Sequence, residues 1–376
     1  MKKSYKFMTF ITAVFSLILL LPQGASAKIK HGKVKAMSRN LYLGADIFKV
    51  VEAAMDTTNP YAVPAAVATV FQTVQYTNFP ERAQALADEV LENNPDVIGL
   101  QEVTEYFMQA PGDFLYGNPI TADMVVIDFL QVFLAALEER GMNYSVASVS
   151  YNADIELPMF AGFTPEGYPI LNDLRMLDRD VILVKNNVHV TSESNGNYYY
   201  NVAMDLGGVN VEFTRGWTSI NAVIRNQEYR IVNTHLEVGG DPTSPFAMIQ
   251  AAQMQELMGL LASETKNTIL IGDFNSSPEN VQTQPYHQAI AAGFVDSWTM
   301  THYWNPGYTC CFNETVNDPD SELYERIDHI FFRFGPRALP FALTWRTGID
   351  DIDMTPNGLW PSDHAGMYAL ISFLSW

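Results

Sequence analysis

Short apolar runs, each closed by a polar turn, recur along the chain. KVKAMSRNLYL, PDVIGLQEV, NYSVASVSY, DVILVKN, NYYYNVAMDL, WTSINAVI, EYRIVNTHL, NTILIGDFN, RIDHIFFRF and HAGMYALISFL are rich in β-branched and aromatic residues, and several alternate with period two. That pattern predicts strands. Between some of them, Pro80 to Asn93 (PERAQALADEVLEN) carries Pro in its first turn and apolar residues three and four apart, which predicts a helix. Met124 to Arg140 and Pro245 to Glu264 carry similar stripes. Many strands with fewer helices predict a layered α/β protein with strands in at least two sheets. Two stretches, Phe48 to Phe79 and Glu105 to Ile127, look like additions to that frame and are rich in Phe, Tyr, Val and Ala. Their apolar content predicts either extra helices packed on the core or an apolar rim beside a site.

The amino end changes the picture first. Lys2, Lys3 and Lys6 precede a run from Phe7 to Leu21 whose polar members are Thr9, Thr12 and Ser16, and Ala25-Ser26-Ala27 follows. This predicts a secretory signal peptide over residues 1–27 and a secreted or periplasmic protein. No Cys stands at the cleavage site, which argues against a lipoprotein anchor. No later segment reaches the ~18 uninterrupted apolar residues of a spanning helix. Residues 28–376, without linker or repeat, predict one large domain. The charge is −20, and loss of the leader's lysines makes it more negative. So acidic a chain repels nucleic acid and anionic lipid at long range unless cations intervene.

Both cysteines, Cys310 and Cys311, are adjacent. Their Cα atoms, ~3.8 Å apart across a trans peptide, lie closer than most disulfides span, so a bridge between them would be strained. A vicinal disulfide, two thiols and an intermolecular bridge all stay open. Zinc is disfavoured, because no further Cys exists and no His stands nearby in a ligand spacing.

Polar residues gather at the ends of the predicted strands. Asn40 follows KAMSR, Glu102 closes VIGLQE, Asp178 opens DRDVILV, Arg215 opens TRGWTSI and His235 closes IVNTHL. Asp273 and Asn275 close ILIGDFN, Asp328 sits in ERIDHIF, and Asp363-His364 opens SDHAGMYALI. Each has a bland explanation alone: His235 as a core histidine, Asp328 as a partner of Arg326, Asp273 and Asn275 as turn formers before Pro278. One shared cleft explains all of them at once.

The ordered set NLYLG, LQEV, NTHL, GDFN, RIDHIF and SDH resembles the endonuclease/exonuclease/phosphatase superfamily, which includes pancreatic-type deoxyribonucleases, abasic-site endonucleases, neutral sphingomyelinases and inositol polyphosphate 5-phosphatases. The resemblance runs from about Lys33 to the carboxyl end, interrupted by the two additions. It implies a four-layer α/β/β/α sandwich of two mixed β-sheets flanked by helices. It makes Glu102 the main metal-binding carboxylate, with Asn40 as a ligand or its support and Asp363 as a second acid on the metal side. It makes His364 the histidine that acts on the scissile phosphate, oriented by Asp328. His235 is then the second histidine, on the phosphate, and Asp273 and Asn275 position the attacking water and the phosphate oxygens. LDRDVILV is similar to the segment whose acid supports the second histidine, so Asp178, with Asp180 in competition, would pair with His235. TRGW nominates Arg215 for phosphate. Some members carry an acid two residues after the first Asn, where this chain has Tyr42; Asp46 is the nearest acid.

Phosphate chemistry calls for the same residue types. An anionic ester repels nucleophiles, so hydrolysis needs a cation on the non-bridging oxygens and an aligned water. Glu, Asn and Asp offer hard oxygens, which suit Mg2+, Mn2+ or Ca2+ rather than zinc. A His backed by a carboxylate is held in one tautomer and stays cationic. If RIDHIFF is a strand, Asp328 and His329 face opposite ways, so His329 is structural when Asp328 faces the cleft. By the same alternation Asp273 and Asn275 share a side while Phe274 enters the core. His31, His189, His287 and His302 match no motif. The expectation is a monomeric, exported, metal-dependent phosphoester hydrolase with no protein partner. Its substrate is nucleic acid, as Arg215 and Asp178 favour, or phospholipid, as export and the apolar additions favour through peripheral membrane contact. An inositol-type phosphatase and a non-catalytic binding protein on the same fold are the alternatives.

Overall fold

The computed structural model describes residues 30–116, 119–279, 284–335 and 338–375, so the leader predicted over 1–27 lies outside the described residues. The chain opens with β1 (Lys30–Asn40), α1 (Phe48–Ala54), α2 (Ala62–Tyr76), α3 (Phe79–Asn93) and β2 (Val97–Gln101). It continues through β3 (Glu105–Gln109), β4 (Met124–Asp128), α4 (Phe129–Glu139), the long hairpin β5 (Tyr144–Phe163) and β6 (Pro169–Lys185), and β7 (His189–Asn197). Next come β8 (Val202–Asp205), β9 (Asn210–Phe213), β10 (Gly216–Ile224), β11 (Gln227–His235), α5 (Pro245–Leu261) and β12 (Asn267–Asp273). Last are α6 (Pro285–Ala291), β13 (Val295–Asp296), β14 (Asp328–Arg333), β15 (Ala338–Thr347) and β16 (Gly366–Ser375).

An eight-stranded sheet runs β15-β16-β1-β2-β6-β3-β4, with β5 also on β6, and a six-stranded sheet runs β13-β14-β12-β11-β10-β7. Both are mixed: β1–β2 and β11–β12 are parallel within otherwise antiparallel neighbours. Their inner faces meet through Val34, Ala36, Val97 and Ile182 on one side and Ile220, Ile231, Ile269 and Ile330 on the other. The outer face of the larger sheet is covered by α2, α3 and α4, where Phe79 stacks on Phe129 with ring centroids 3.7 Å apart. On the smaller sheet, Met254, Leu257 and Leu261 of α5 and Ala289 of α6 pack over Val232, Leu270 and Phe331. Helices, sheet, sheet and helices make the four layers that the resemblance implied.

Period-two alternation also explains where the site falls. On β12 the inner positions read Ile269, Ile271, Asp273; on β11 they read Ile231, Asn233, His235; on β1 they read Val34, Ala36, Ser38, Asn40. The space between the sheets thus grades from aliphatic, through amide, to ionisable groups. The amide layer is closed by Gln101, whose Nε2 donates to Asn233 Oδ1 at 2.6 Å, while Asn233 Nδ2 donates to the carbonyls of Leu100 at 2.8 Å and Val181 at 3.1 Å. Gly99 is required beside it, because a Cβ there would lie 2.7 Å from Asn233 Oδ1 and 2.8 Å from Ile271 Cγ2.

Some local expectations are corrected. Met124–Asp128 is a strand rather than the start of a helix, as its Val-Val-Ile content favours, and Asp128 then caps α4 by accepting from Leu130 N at 2.9 Å. The predicted strand NYYYNVAMDL is broken: Asn197 ends β7 and Val202–Asp205 forms β8, and between them Asn201 Nδ2 bonds back to the Tyr198 carbonyl at 2.9 Å, where the chain turns. The first addition forms α1 and α2, which bury Val63, Val67, Val70, Phe71 and Val74. The second forms the β3–β4 hairpin at the sheet edge, with Leu115, Tyr116, Ile120 and Met124 exposed.

Candidate active site

Four strand ends share one register row. Gly216 of β10 pairs with His235 of β11, His235 with Asp273 of β12, and Asp273 with Asp328 of β14. Arg215 immediately precedes this row. On the other sheet, Asn40 pairs with Gln101, the residue before Glu102. The chain then leaves each strand abruptly: Tyr42, Glu102 and Asn275 adopt φ of 59°, 55° and 49°, a region costly for residues with a side chain. Site side chains hold those turns. Asn40 Oδ1 accepts from Tyr42 N at 2.8 Å, Glu102 Oε2 from Leu43 N at 2.7 Å, and Asp273 Oδ1 from Asn275 N at 2.9 Å. Asn275 therefore reaches the cleft through a left-handed turn and not by alternation, whereas Phe274 is buried on the helix side as expected. GDFN is a turn and a site at once.

Asn40 Nδ2 donates to Glu102 Oε1 at 3.1 Å and to Asp273 Oδ2 at 3.2 Å, joining the two sheets at the cleft floor. Ser362 Oγ donates to the Asn40 carbonyl at 2.9 Å and accepts from His364 N at 3.1 Å. This sets His364 so that its Nδ1 donates to Asp328 Oδ2 at 2.8 Å. Its Nε2 lies 4.0 Å from Asp363 Oδ1. Burial opposes a charge on this imidazole, but Asp328, Asp363 and Asp273 outweigh it and hold its pKa well above the ordinary value.

The other histidine lies in opposite surroundings. Arg215 Nη1 is 3.1 Å from His235 Nδ1, and Asn275 Nδ2 is 3.2 Å from His235 Nε2. Both of these neighbours are donors, and the nearest carboxylate oxygen, Asp273 Oδ2, lies 3.6 Å from Nε2, so the close contacts disfavour a second ring proton. Burial, then Arg215 and His364, push its pKa well below the ordinary value. The expected pairing of Asp178 with His235 is not formed. Asp178 Oδ2 accepts from Asn152 Nδ2 at 3.3 Å, and the same amide reaches Asp180 Oδ2 at 2.9 Å. Burial raises the pKa of both acids, Asp180 most, with Asp178 adding to it. Asp328 and His329 do face opposite ways: His329 lies between the Ser276 carbonyl, 2.8 Å from Nε2, and Arg326, whose ion-pair partner is Asp296 at 2.9 Å.

A cleft of about 470 Å³ is lined by Glu102, Arg215, His235, Asp273, Asn275, Asp363 and His364. Asn40, Asp178 and Asp328 are buried outside its lining. Glu237, absent from the sequence reading, lines it too and sits 3.6 Å from Arg215 Nη2. Its signal was its position two residues after His235 in NTHLEV. Asp46 also lines the cleft, although its carboxylate accepts from Phe48 N at 2.9 Å where α1 begins. Cys310 and Cys311 form a vicinal disulfide in the wall, and His364, remote in sequence, lies within 4.8 Å of their sulfurs.

The donor set suits a hard cation. Burial pushes Glu102 up to about 7, helped by Asp363, and pushes Asp273 up to about 7, helped by Asp328. Buried carboxylates that resist ionisation because they crowd one another are the surroundings that a divalent cation relieves. Oxygens of Asp273 and Asp328 lie within 4.8 Å of His364 Nδ1, but that nitrogen is engaged with Asp328.

Residues 74–364 match the model of the endonuclease/exonuclease/phosphatase family. The chain belongs to that family. Among curated proteins, none matches it by sequence. A solved family member from Leptotrichia buccalis is similar at 16% identity and a TM-score of 0.50, over 90% of this chain and 99% of that one. Truncated TDP2 from Caenorhabditis elegans is similar at 16% identity and a TM-score of 0.48, over 91% and 98% of the two chains. A family protein from Bacteroides thetaiotaomicron matches at 15% identity and a TM-score of 0.48, over 92% and 96%. Identity this low speaks to the fold alone.

Proposed function

We propose that the protein is an exported hydrolase that cleaves a phosphodiester with water, assisted by Mg2+, Mn2+ or Ca2+. The observation that carries this reading is the convergence of a carboxylate-backed histidine, a guanidinium-backed histidine and a set of buried acids on one cleft. Glu102, with Asn40 beside it, and Asp363 would hold the cation, which supplies charge to the non-bridging oxygens of the ester. Asp273 accepts a proton from the attacking water, and the Asn275 amide holds that water or a phosphate oxygen in line. His364, kept protonated by Asp328, directs Nε2 at the phosphoryl group as the charge on it grows. His235 and Arg215 receive another phosphate oxygen, with Arg215 as the permanent charge. Positioning and charge, set before substrate arrives, supply most of the acceleration.

Purified protein, incubated with bis(p-nitrophenyl) phosphate and Mg2+, should release nitrophenol. EDTA should stop the release, and added Mg2+ or Mn2+ should restore it. Full activity in metal-free buffer would overturn the metal-assisted reading. A nuclease is the second reading, favoured by Arg215 beside His235, and DNA and RNA belong in the same assay.

A further inference from the structure

The catalytic cleft has one apolar flank, formed by Ile47, Phe48, Val51, Val202, Met204 and Phe213. Behind it lies a second cavity, of about 60 Å³, whose wall includes Val50, Val67, Val70, Leu157, Leu174 and Met176. Ile47 and Phe213 line both spaces, so the cavity adjoins the cleft. Among its lining side chains the polar group is the Tyr106 hydroxyl, which already donates to the Leu43 carbonyl at 2.9 Å. A cavity needs only ~10–15 Å³ to hold a water, yet one without polar partners stays dry and takes apolar guests. A nucleobase would leave its polar edge unpaired there. A chain of methylenes would not. The net charge of −20 also disfavours a polyanion.

We infer that this cavity receives an alkyl or acyl chain of the substrate, which makes the preferred phosphodiester an amphiphile. The inference rests on the phosphodiesterase reading above. It gives the first addition a task, because α1 and α2 supply Val50, Val67 and Val70. The chain end enters between Ile47 and Phe213 while the phosphate stays with Arg215, His235 and His364. Burying each methylene should raise kcat/KM by about fourfold until the cavity is full.

The test is a series of alkyl p-nitrophenyl phosphates (methyl, butyl, octyl and dodecyl) assayed with Mg2+ as monomers. Water adds to phosphorus, the bond to the nitrophenyl oxygen breaks, and alkyl phosphate and nitrophenol leave. The expected result is kcat/KM that climbs over the first several carbons and then levels. Val70→Trp, which fills the cavity, should bring the octyl-to-methyl ratio close to one. If that variant does not fold by circular dichroism, Leu174→Phe serves, and the wild-type series already decides. A flat wild-type series, or faster cleavage of thymidine p-nitrophenyl phosphate than of the octyl ester, overturns the alkyl site while leaving the hydrolase. No cleavage of any member overturns the hydrolase reading itself. Monomeric lysophosphatidylcholine and phosphatidylcholine vesicles, run in parallel, separate a soluble amphiphile from a membrane lipid as the source of the chain.

Discussion

His364 and His235 face one cleft from opposite sheets, yet a carboxylate stands behind the first and a guanidinium beside the second. Both are buried, and burial alone would neutralise both. Asp328 reverses that outcome at His364; Arg215 reinforces it at His235. The cleft therefore holds one cationic imidazole and one neutral imidazole next to a fixed cation. The residue type does not set the task. Its neighbour does.

The proposed reaction needs a divalent cation as well as both corners, so removing that ion has the largest expected effect. EDTA should abolish turnover, and Glu102→Gln should raise the Mg2+ concentration for half-maximal rate by at least about tenfold. Asp328→Asn comes next, because it removes the charge that keeps His364 protonated. A loss of about 10²–10⁴-fold in kcat is expected. The pH–rate profile carries the sign: with a raised pKa the active imidazolium persists as pH rises and is lost only above that pKa, and in the variant the loss should begin at lower pH. An unchanged profile would refute the pairing as the source of the charge.

Arg215→Gln should cost less, about 10²-fold, since one of several phosphate donors is lost. Its informative readout is the His235 imidazole by NMR, whose pKa should rise once the guanidinium is gone. Asp178→Asn should leave that resonance unmoved, because Asp178 bonds Asn152. The smallest effect is kept for His329, a histidine outside the cleft. Burial, then Arg326, depress its pKa to about 4. A depressed histidine adds stability above its unfolded pKa and loses it as pH falls, here between ~6.5 and ~4, by up to about 3 kcal/mol. His329→Gln should flatten the fall in urea midpoint over that range without changing the pH–rate profile.

Much of the site was legible because its strands alternate. Val34 to Asn40 and Ile269 to Asp273 place their polar members on the face that the apolar members already assign to the interior. Asp328 and His329 separate by the same rule. What was not legible depends on partners remote in the chain. Asp178 meets Asn152 because β5 pairs with β6 through one register shift and Asn152 falls within a second, which no local pattern records. β15 escaped notice because Pro340 interrupts its alternation, and it is tolerated since β15 lies at the sheet edge. Where some members of the family carry an acid, this chain has Tyr42, whose hydroxyl donates to the Glu314 carbonyl at 2.7 Å.

The bond from Asn40 to Asp273 spans 233 positions in sequence, and the guanidinium of Arg39 reaches the His364 carbonyl across 325. Contacts this distant form only after much of the intervening chain has been ordered, because loop closure must be met before they contribute. Local pairs such as β5–β6 and β10–β11 can form first, so much of the secondary structure should return early on refolding, while the cleft, which needs both sheets docked and β1 paired with β16, returns last. Catalytic activity is then a clock for the final step of folding. In a stopped-flow experiment, recovery of turnover should lag the far-ultraviolet signal, and Asn40→Ala should slow the later phase without touching the earlier one.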